Sequence, residues 1–294
     1  NAGGGATQVL MPLMLAALVM FGVEQAMGWR IALIVPGVLM LIVGVMYWKF
    51  TQDAPQGNFN ELREQGVSVG SDKKGGVAIL MHAARNYRVW ILFGAYAACF
   101  GIEIFIHNIV AMYYVENFNF GLKEAGMAAG IFGLLALFAR ALGGIVSDKV
   151  ATKKGLDGRT KVLFAMILME GLFLVLFSQM STPMLAILAM TVFALFTHMA
   201  CGAPYALVPF IDRDALGGVA GIIGAGGDVG AVAAGFLLKG MLDIQTTLMV
   251  LGGLVVIAAS CVLMIRFSVE HKEKEQRLFE QAIHERSLAE AQNS

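Results

Sequence analysis

The sequence predicts an all-α protein that crosses a membrane several times, and three observations carry that prediction. Hydrophobic residues make up 58% of the chain and charged residues 14%. A water-soluble domain holds roughly 25% charged residues, so most of this surface cannot face water. The mean hydropathy is +0.73. Finally, the apolar residues gather in runs of about 20, the length a helix needs to cross a bilayer core.

Eight such runs can be drawn: Ala2–Val23, Trp29–Phe50, Val89–Tyr114, Ala125–Val146, Val162–Gln179, Met184–Val208, Gly217–Met241 and Thr247–Phe267. Gly, Pro and Met recur inside them, as membrane helices tolerate where neighbours satisfy freed backbone groups. Basic residues then orient the runs. Lys49, Arg63, Lys73, Lys74, Arg85 and Arg88 lie between the second and third, and Lys149, Lys153, Lys154, Arg159 and Lys161 between the fourth and fifth. Lys272, Lys274, Arg277 and Arg286 follow the eighth, whereas Arg30, Lys123 and Lys239 stand on the opposite side. The positive-inside rule therefore puts the long loop and the C-terminus in the cytoplasm.

Thr51–Ala84 is the long polar break and reads as a flexible cytoplasmic connector. It divides the chain into residues 1–50, a linker at 51–85, six helices over 86–268 and a charged tail at 269–294. Glu270–Gln292 reads as a solvated or membrane-surface helix. Because the chain opens at Asn1 inside an apolar segment, without Met or a signal peptide, it reads as a fragment of a longer protein.

Several function classes recede at once. With 21 basic against 21 acidic residues there is no basic field for nucleic acid. Cys99, Cys201 and Cys261 have no metal-ligand or disulfide-framework spacing and read as packing residues. No nucleophile elbow or phosphate loop is present, so neither an enzyme, a cofactor nor a metal site is expected.

The informative residues are charges inside apolar runs, each costing about 2.5–3.5 kcal/mol at a helix centre. These are Glu103, Arg140 and Asp228, with His107 and His198 as titratable company. The planar fork of Arg140 suits a flat oxyanion; equally, it could snorkel to the cytoplasmic face or pair within the bundle. Tyr96, Phe100, Glu103 and His107 recur at spacings of three and four and share a helix face, with Asn108 and Tyr114 further out. The aromatic pair could sandwich a flat anion or simply fill the core, and Glu103 could bind a proton or pair with a cation. Gly-rich segments at residues 1–12 and 217–235 permit close helix packing. In the second, a stripe of small residues with one aspartate runs through 217, 221, 224, 228, 231 and 235. Glycine also brings backbone polar groups within reach of a ligand, as transporters built from repeated halves use it.

These segments resemble the nitrate/nitrite porters of the major facilitator superfamily. Asn1-Ala-Gly-Gly-Gly-Ala-Thr-Gln with Met11-Pro12 is similar to that family's first nitrate signature, in the fifth of twelve helices. Gly221-Ile-Ile-Gly-Ala-Gly-Gly-Asp-Val-Gly-Ala-Val is similar to the second, in the eleventh, and Gly202-Ala-Pro-Tyr-Ala-Leu-Val-Pro-Phe to the tenth. Gly144-Ile-Val-Ser-Asp-Lys with Arg159 resembles the superfamily's cytoplasmic latch. The resemblance implies a major facilitator-type helical bundle, truncated at the N-terminus, in the plasma (bacterial inner) membrane.

It also implies secondary active transport of nitrate or nitrite, by proton symport or nitrate/nitrite exchange with alternating access. Arg140 would be one of two clamping arginines, the other lying in a helix outside this chain. Asn1, Gly3, Gly4, Gly224 and Gly227 would lie near the anion, and Tyr96 and Phe100 would line the cavity. Glu103, His107 and Asp228 are the candidates for proton coupling, and Gly144, Asp148 and Arg159 for the latch. The second signature usually has Asn where this chain has Asp228, and a carboxylate there repels an anion unless protonated, paired or turned away. Expected partners are the anion, protons and the lipid bilayer. Another small anion, or a non-transporting membrane scaffold, are the alternative readings.

Overall fold

In an apolar solvent every backbone N–H and C=O must pair within its own segment, which makes helices the solution for an open chain. The computed structural model describes residues 2–66, 76–240, 243–275, 277, 278 and 281, and its long elements are all helices. Among the described residues seven helices are long and apolar enough to cross a membrane. The eight expected runs fall on seven because two share one helix. Residues Leu122–Ser178 form α7, defined below, and at 57 residues a straight helix would reach about 85 Å. Gly155, with φ 56° and ψ −147°, breaks it into two limbs. The basic segment expected to be a loop stays helical on both sides of that glycine, because its lysines, alanine and leucine favour helix.

The chain begins with a hairpin of α1 (Ala2–Met20) and α2 (Gln25–Phe50). In the polar break lie α3 (Phe59–Glu64) and α4 (Gly76–Ala84), so that stretch is not simply a flexible connector. The third run is α5 (Tyr87–Tyr96), a π-helical turn (Ala97–Gly101) and α6 (Ile102–Phe118). Asn119, left-handed at φ 54°, ends it. After α7 comes α8 (Pro183–Gly202), whose C-terminal end breaks into two 3-10 turns at Pro204 and Pro209, where proline withholds an N–H. The last spans are α9 (Leu216–Gly240) and α10 (Ile244–Val262), the latter capped by Asp243, whose carboxylate accepts the Thr246 N–H at 3.1 Å.

Helix α7 sits against α8, α10 and α1, with α1 on its first limb at Gly130 and Gly133 and α10 on its second at Gly171, while α9 lies along α4, α5 and the π turn. Large side chains such as Leu92, Phe132, Leu163, Phe193 and Leu251 fill the centre. Outward positions of α2 carry Ile34, Leu39, Met40, Leu41 and Val43, a surface suited to lipid rather than water. Loops and tail meet at one end. There Asp148 accepts from Arg159 at 2.5 Å, Asp157 from Lys272 at 2.6 Å, and Glu275 from both Arg213 Nε (3.2 Å) and Nη2 (2.5 Å). Of these groups, Asp148, Arg159, Lys272 and Glu275 border a cavity of about 780 Å³.

The glycines of α9 that meet other backbone do not lie on the expected stripe. Gly217, Gly221 and Gly235 touch nothing, whereas Gly226 meets the Phe93 carbonyl and Gly230 the Ala97 carbonyl. Gly101, in the π turn, faces Gly230 and Ala231 so closely that a Cβ there would stand 2.8 Å from the Ala231 nitrogen. Backbone thus meets backbone, and side chains at these positions must be absent. Gly230→Leu is therefore expected to destabilise the protein by about 1–3 kcal/mol or more through overpacking, read as an earlier thermal transition in detergent. Gly235→Ala, in open space, should leave the transition in place; equal losses in both variants would refute the register.

Candidate functional site

The wide turn at Ala97–Gly101 stands just before the buried carboxylate, so α6 starts with Glu103 directed into the bundle. Such turns recur at functional sites because they redirect side chains within a helix. Opposite, the first limb of α7 brings Arg140, and α8 brings His198 and Cys201 three residues apart on one face. Glycines permit the approach: Gly143 lies against the Met199 carbonyl and Gly202 against the Arg140 carbonyl.

Glu103 is fully buried and stands at the centre of the cluster. Its Oε2 accepts from Arg140 Nη2 at 2.6 Å and from the Cys201 thiol at 3.1 Å. Its Oε1 lies 3.5 Å from His198 Nδ1 and 3.9 Å from His107 Nε2. A charge-assisted bond at this length in a dry setting is strong, and removing one partner of such a pair leaves a costly uncompensated charge. Arg140 is thus turned into the bundle instead of snorkelling. Its Cζ lies 5.3 Å from the Phe100 ring centroid, a cation–π contact. Phe100 in turn stacks on Tyr96 at 5.0 Å, and Tyr205 meets Tyr96 edge-on at 5.3 Å. The Arg140 Nε–H is buried without a partner among the described residues.

The structure brings together most of the residues expected at the site. Arg140, Tyr96, Phe100, Glu103 and His107 are neighbours, and Gly227 joins them because any Cβ there would collide with the Phe100 ring. Gly224 faces the Tyr205 hydroxyl, and Gly4 leaves room beside the His107 ring, where a Cβ would lie 3.4 Å away. Gln8, from the same helix as Gly4, donates to the His107 carbonyl at 2.8 Å. Gly3 is exposed, its carbonyl accepts from the Thr7 hydroxyl at 2.7 Å, and a Cβ there would meet no described residue, while Asn1 lies outside the described residues. Asp228 is exposed on α9 and does not join the cluster. At the far end Asp148 and Arg159 pair across the Gly155 break, while Gly144 contacts nothing.

Sequence reasoning passed over Glu170, gave His198 no role at the site and read Cys201 as packing. Cys201 is a hydrogen-bond partner of Glu103, not merely packing. His198 has Nε2 bonded to the Phe132 carbonyl at 2.7 Å and its ring against Phe132 at 5.0 Å. Glu170, on the second limb of α7, is fully buried beside Cys99 and Thr197, yet neither of its oxygens receives a hydrogen bond of normal geometry among the described residues. The Thr197 hydroxyl donates to the Phe193 carbonyl at 3.0 Å. The signal for Glu170 was present, a lone glutamate inside the apolar run Val162–Gln179.

Comparison with known proteins places this geometry. The chain is 36% identical over 261 residues to high affinity nitrate transporter 2.5 of Arabidopsis thaliana, covering 88% of this chain and 51% of that protein. It is 36% identical over 238 residues to high-affinity nitrate transporter 2.3 of Oryza sativa subsp. japonica (81% and 46% covered). Against the nitrate/nitrite transporter NrtP of Nostoc punctiforme the figure is 23% over 298 residues (79% and 59%). The chain therefore spans about half the length of the plant relatives it matches. All three relatives are transporters by name, not enzymes. The fold is shared with a bacterial homologue of the human lysosomal transporter Spinster, solved inward-facing and unoccupied, at a TM-score of 0.61 and 14% identity, covering 89% of this chain and 67% of that one. The sequence profile of the Major Facilitator Superfamily matches residues 1–210 and 108–292, and with the all-helical membrane bundle this establishes that the chain belongs to the Major Facilitator Superfamily.

Proposed function

We propose that this chain is part of a secondary active transporter of nitrate or nitrite, and that Arg140 is an anion clamp. The observation that carries the reading is the setting of Arg140: a guanidinium inside the bundle, above the Phe100 ring, with its Nε–H unpartnered among the described residues. A flat anion with its charge spread over its oxygens matches that planar fork, and the stacked Tyr96–Phe100 pair offers an apolar face alongside it. The names of the plant and cyanobacterial relatives support nitrate and nitrite as the substrate class.

Residues 1–50 then belong to the N-terminal half of the transporter, 51–85 to the linker, 86–268 to the C-terminal half and 269–294 to a cytoplasmic tail. Tyr96, Phe100, Gly3, Gly4, Gly224 and Gly227 border the anion path in this reading, with Asn1 beside them. Gly144, Asp148 and Arg159 form the cytoplasmic latch, in the plasma membrane, and alternating access moves the anion past the clamp. Glu103 competes with the anion for Arg140, so binding requires this carboxylate to be neutralised or displaced. That requirement favours proton symport over simple exchange.

Arg140→Lys keeps the charge and removes the fork. In the full-length protein, labelled nitrate uptake into liposomes is expected to fall roughly tenfold to a hundredfold, the value of one charge-assisted hydrogen bond; unchanged uptake would sink the clamp. Competition by nitrite and chlorate, and none by organic anions, is the expected substrate profile. Asp148→Asn should slow uptake and cost at most about 1 kcal/mol of stability, because the carboxylate of the pair is exposed although Arg159 is largely covered. A variant with normal uptake would remove the latch.

A further inference from the structure

We propose that Glu103 and His198 hold one proton between them, and that this proton determines whether Arg140 is free to take an anion. The inference deepens the transport reading above and rests on it for the anion's identity, but the proton site itself stands on geometry.

A backbone carbonyl can only accept a hydrogen bond, so the 2.7 Å contact from His198 to the Phe132 oxygen requires a hydrogen on Nε2. In the neutral ring the other nitrogen, Nδ1, then carries only a lone pair. Nδ1 lies 3.5 Å from Glu103 Oε1, in a setting where both side chains are 0% exposed. Two electron-rich atoms at this separation in a low-dielectric interior repel, and Nδ1 has no hydrogen-bond partner among the described residues. One proton resolves the contact: either Glu103 donates it to Nδ1, or the imidazolium donates it to Glu103.

The surrounding groups decide what the proton changes. Oε2 of Glu103 faces the Arg140 guanidinium and the Cys201 thiol. His107 approaches Oε1 from its own helix, at 3.9 Å, and like Arg140 is partly exposed. Cys99 on the π turn and Glu170 on the second limb of α7 stand beyond Cys201. Tyr96 lies near Arg140. Without the shared proton, the single negative charge of Glu103 balances the positive charge of Arg140, leaving nothing for an anion to neutralise. With it, the Glu103–His198 pair is neutral and Arg140 carries one uncompensated positive charge. A hydronium gives up the proton, the O–H or N–H bond forms within the pair, and one anion then restores neutrality. Proton and anion are thereby bound one for one. Anion affinity is present while the pair holds the proton and is lost as rising pH removes it.

The test uses the purified full-length protein, with nitrate as the probe. Nitrate affinity is measured across pH in weak buffer, with proton uptake recorded alongside. We expect affinity to fall about tenfold per pH unit on the alkaline side, the slope of one linked proton, with one proton taken up per anion bound. Glu103→Gln and His198→Gln should each flatten that slope. Binding that is independent of pH without proton uptake, or a full slope surviving in both variants, overturns the proposal. Histidine 15N NMR of the wild-type protein without nitrate needs neither variant nor anion. Hydrogen-bonded or protonated Nδ1 in His198 at low pH supports the shared proton, and an Nδ1 lone pair free of any proton at every pH refutes it. Absence of nitrate binding with the NMR signature intact would refute the substrate reading and leave the proton site standing.

Discussion

The contact between Arg140 and Glu103 constrains the rest of the bundle. Neither charge tolerates the interior alone, and together they still require further donors and a dry, well-filled shell. The shell is supplied by three elements. The π turn places Glu103, the close approach of α7 and α8 places Arg140 opposite Cys201 and His198, and the Phe100 ring covers the guanidinium. Glycine makes each approach possible, because backbone polar atoms reach one another only where no Cβ intervenes.

The same economy links the glycine-rich helix to the charge cluster. Gly227 makes room for Phe100, Phe100 stacks on Tyr96 and lies under Arg140, and Arg140 is held by Glu103. A segment that looks like a packing motif therefore positions the cation from a distance, through an aromatic ring. The polar end of the molecule follows another logic. Asp148, Asp157 and Arg213 reach solvent while their partners Arg159 and Glu275 are largely covered, and the pairs tie the Gly155 break of α7 to the tail.

Much of this was legible before folding was considered. Long apolar runs announce membrane helices because each apolar side chain favours lipid and each backbone group must pair internally. Arg140 and Glu103 stood out because charges are expensive there. The spacing of Tyr96, Phe100, Glu103 and His107 placed them on one face. Other features were not legible. The helical continuation through Lys149–Lys161 gave no periodic signal distinct from a basic loop, and the π turn shifts the register by a fraction no spacing rule anticipates.

The sequence by itself determined the membrane class, the helical runs, the end of the bundle where basic residues collect, and the few buried charges. Those properties depend on local composition and on the solvent. Only the tertiary structure decided that Glu103 binds Arg140, that His198 and Cys201 turn toward the same carboxylate, and that Asp228 stays outside. It also decided that the tight face of α9 carries Gly226 and Gly230 in place of the stripe from Gly217. These are pairings between residues distant in the chain, set by which helix faces meet and how closely, and no single helix holds that information.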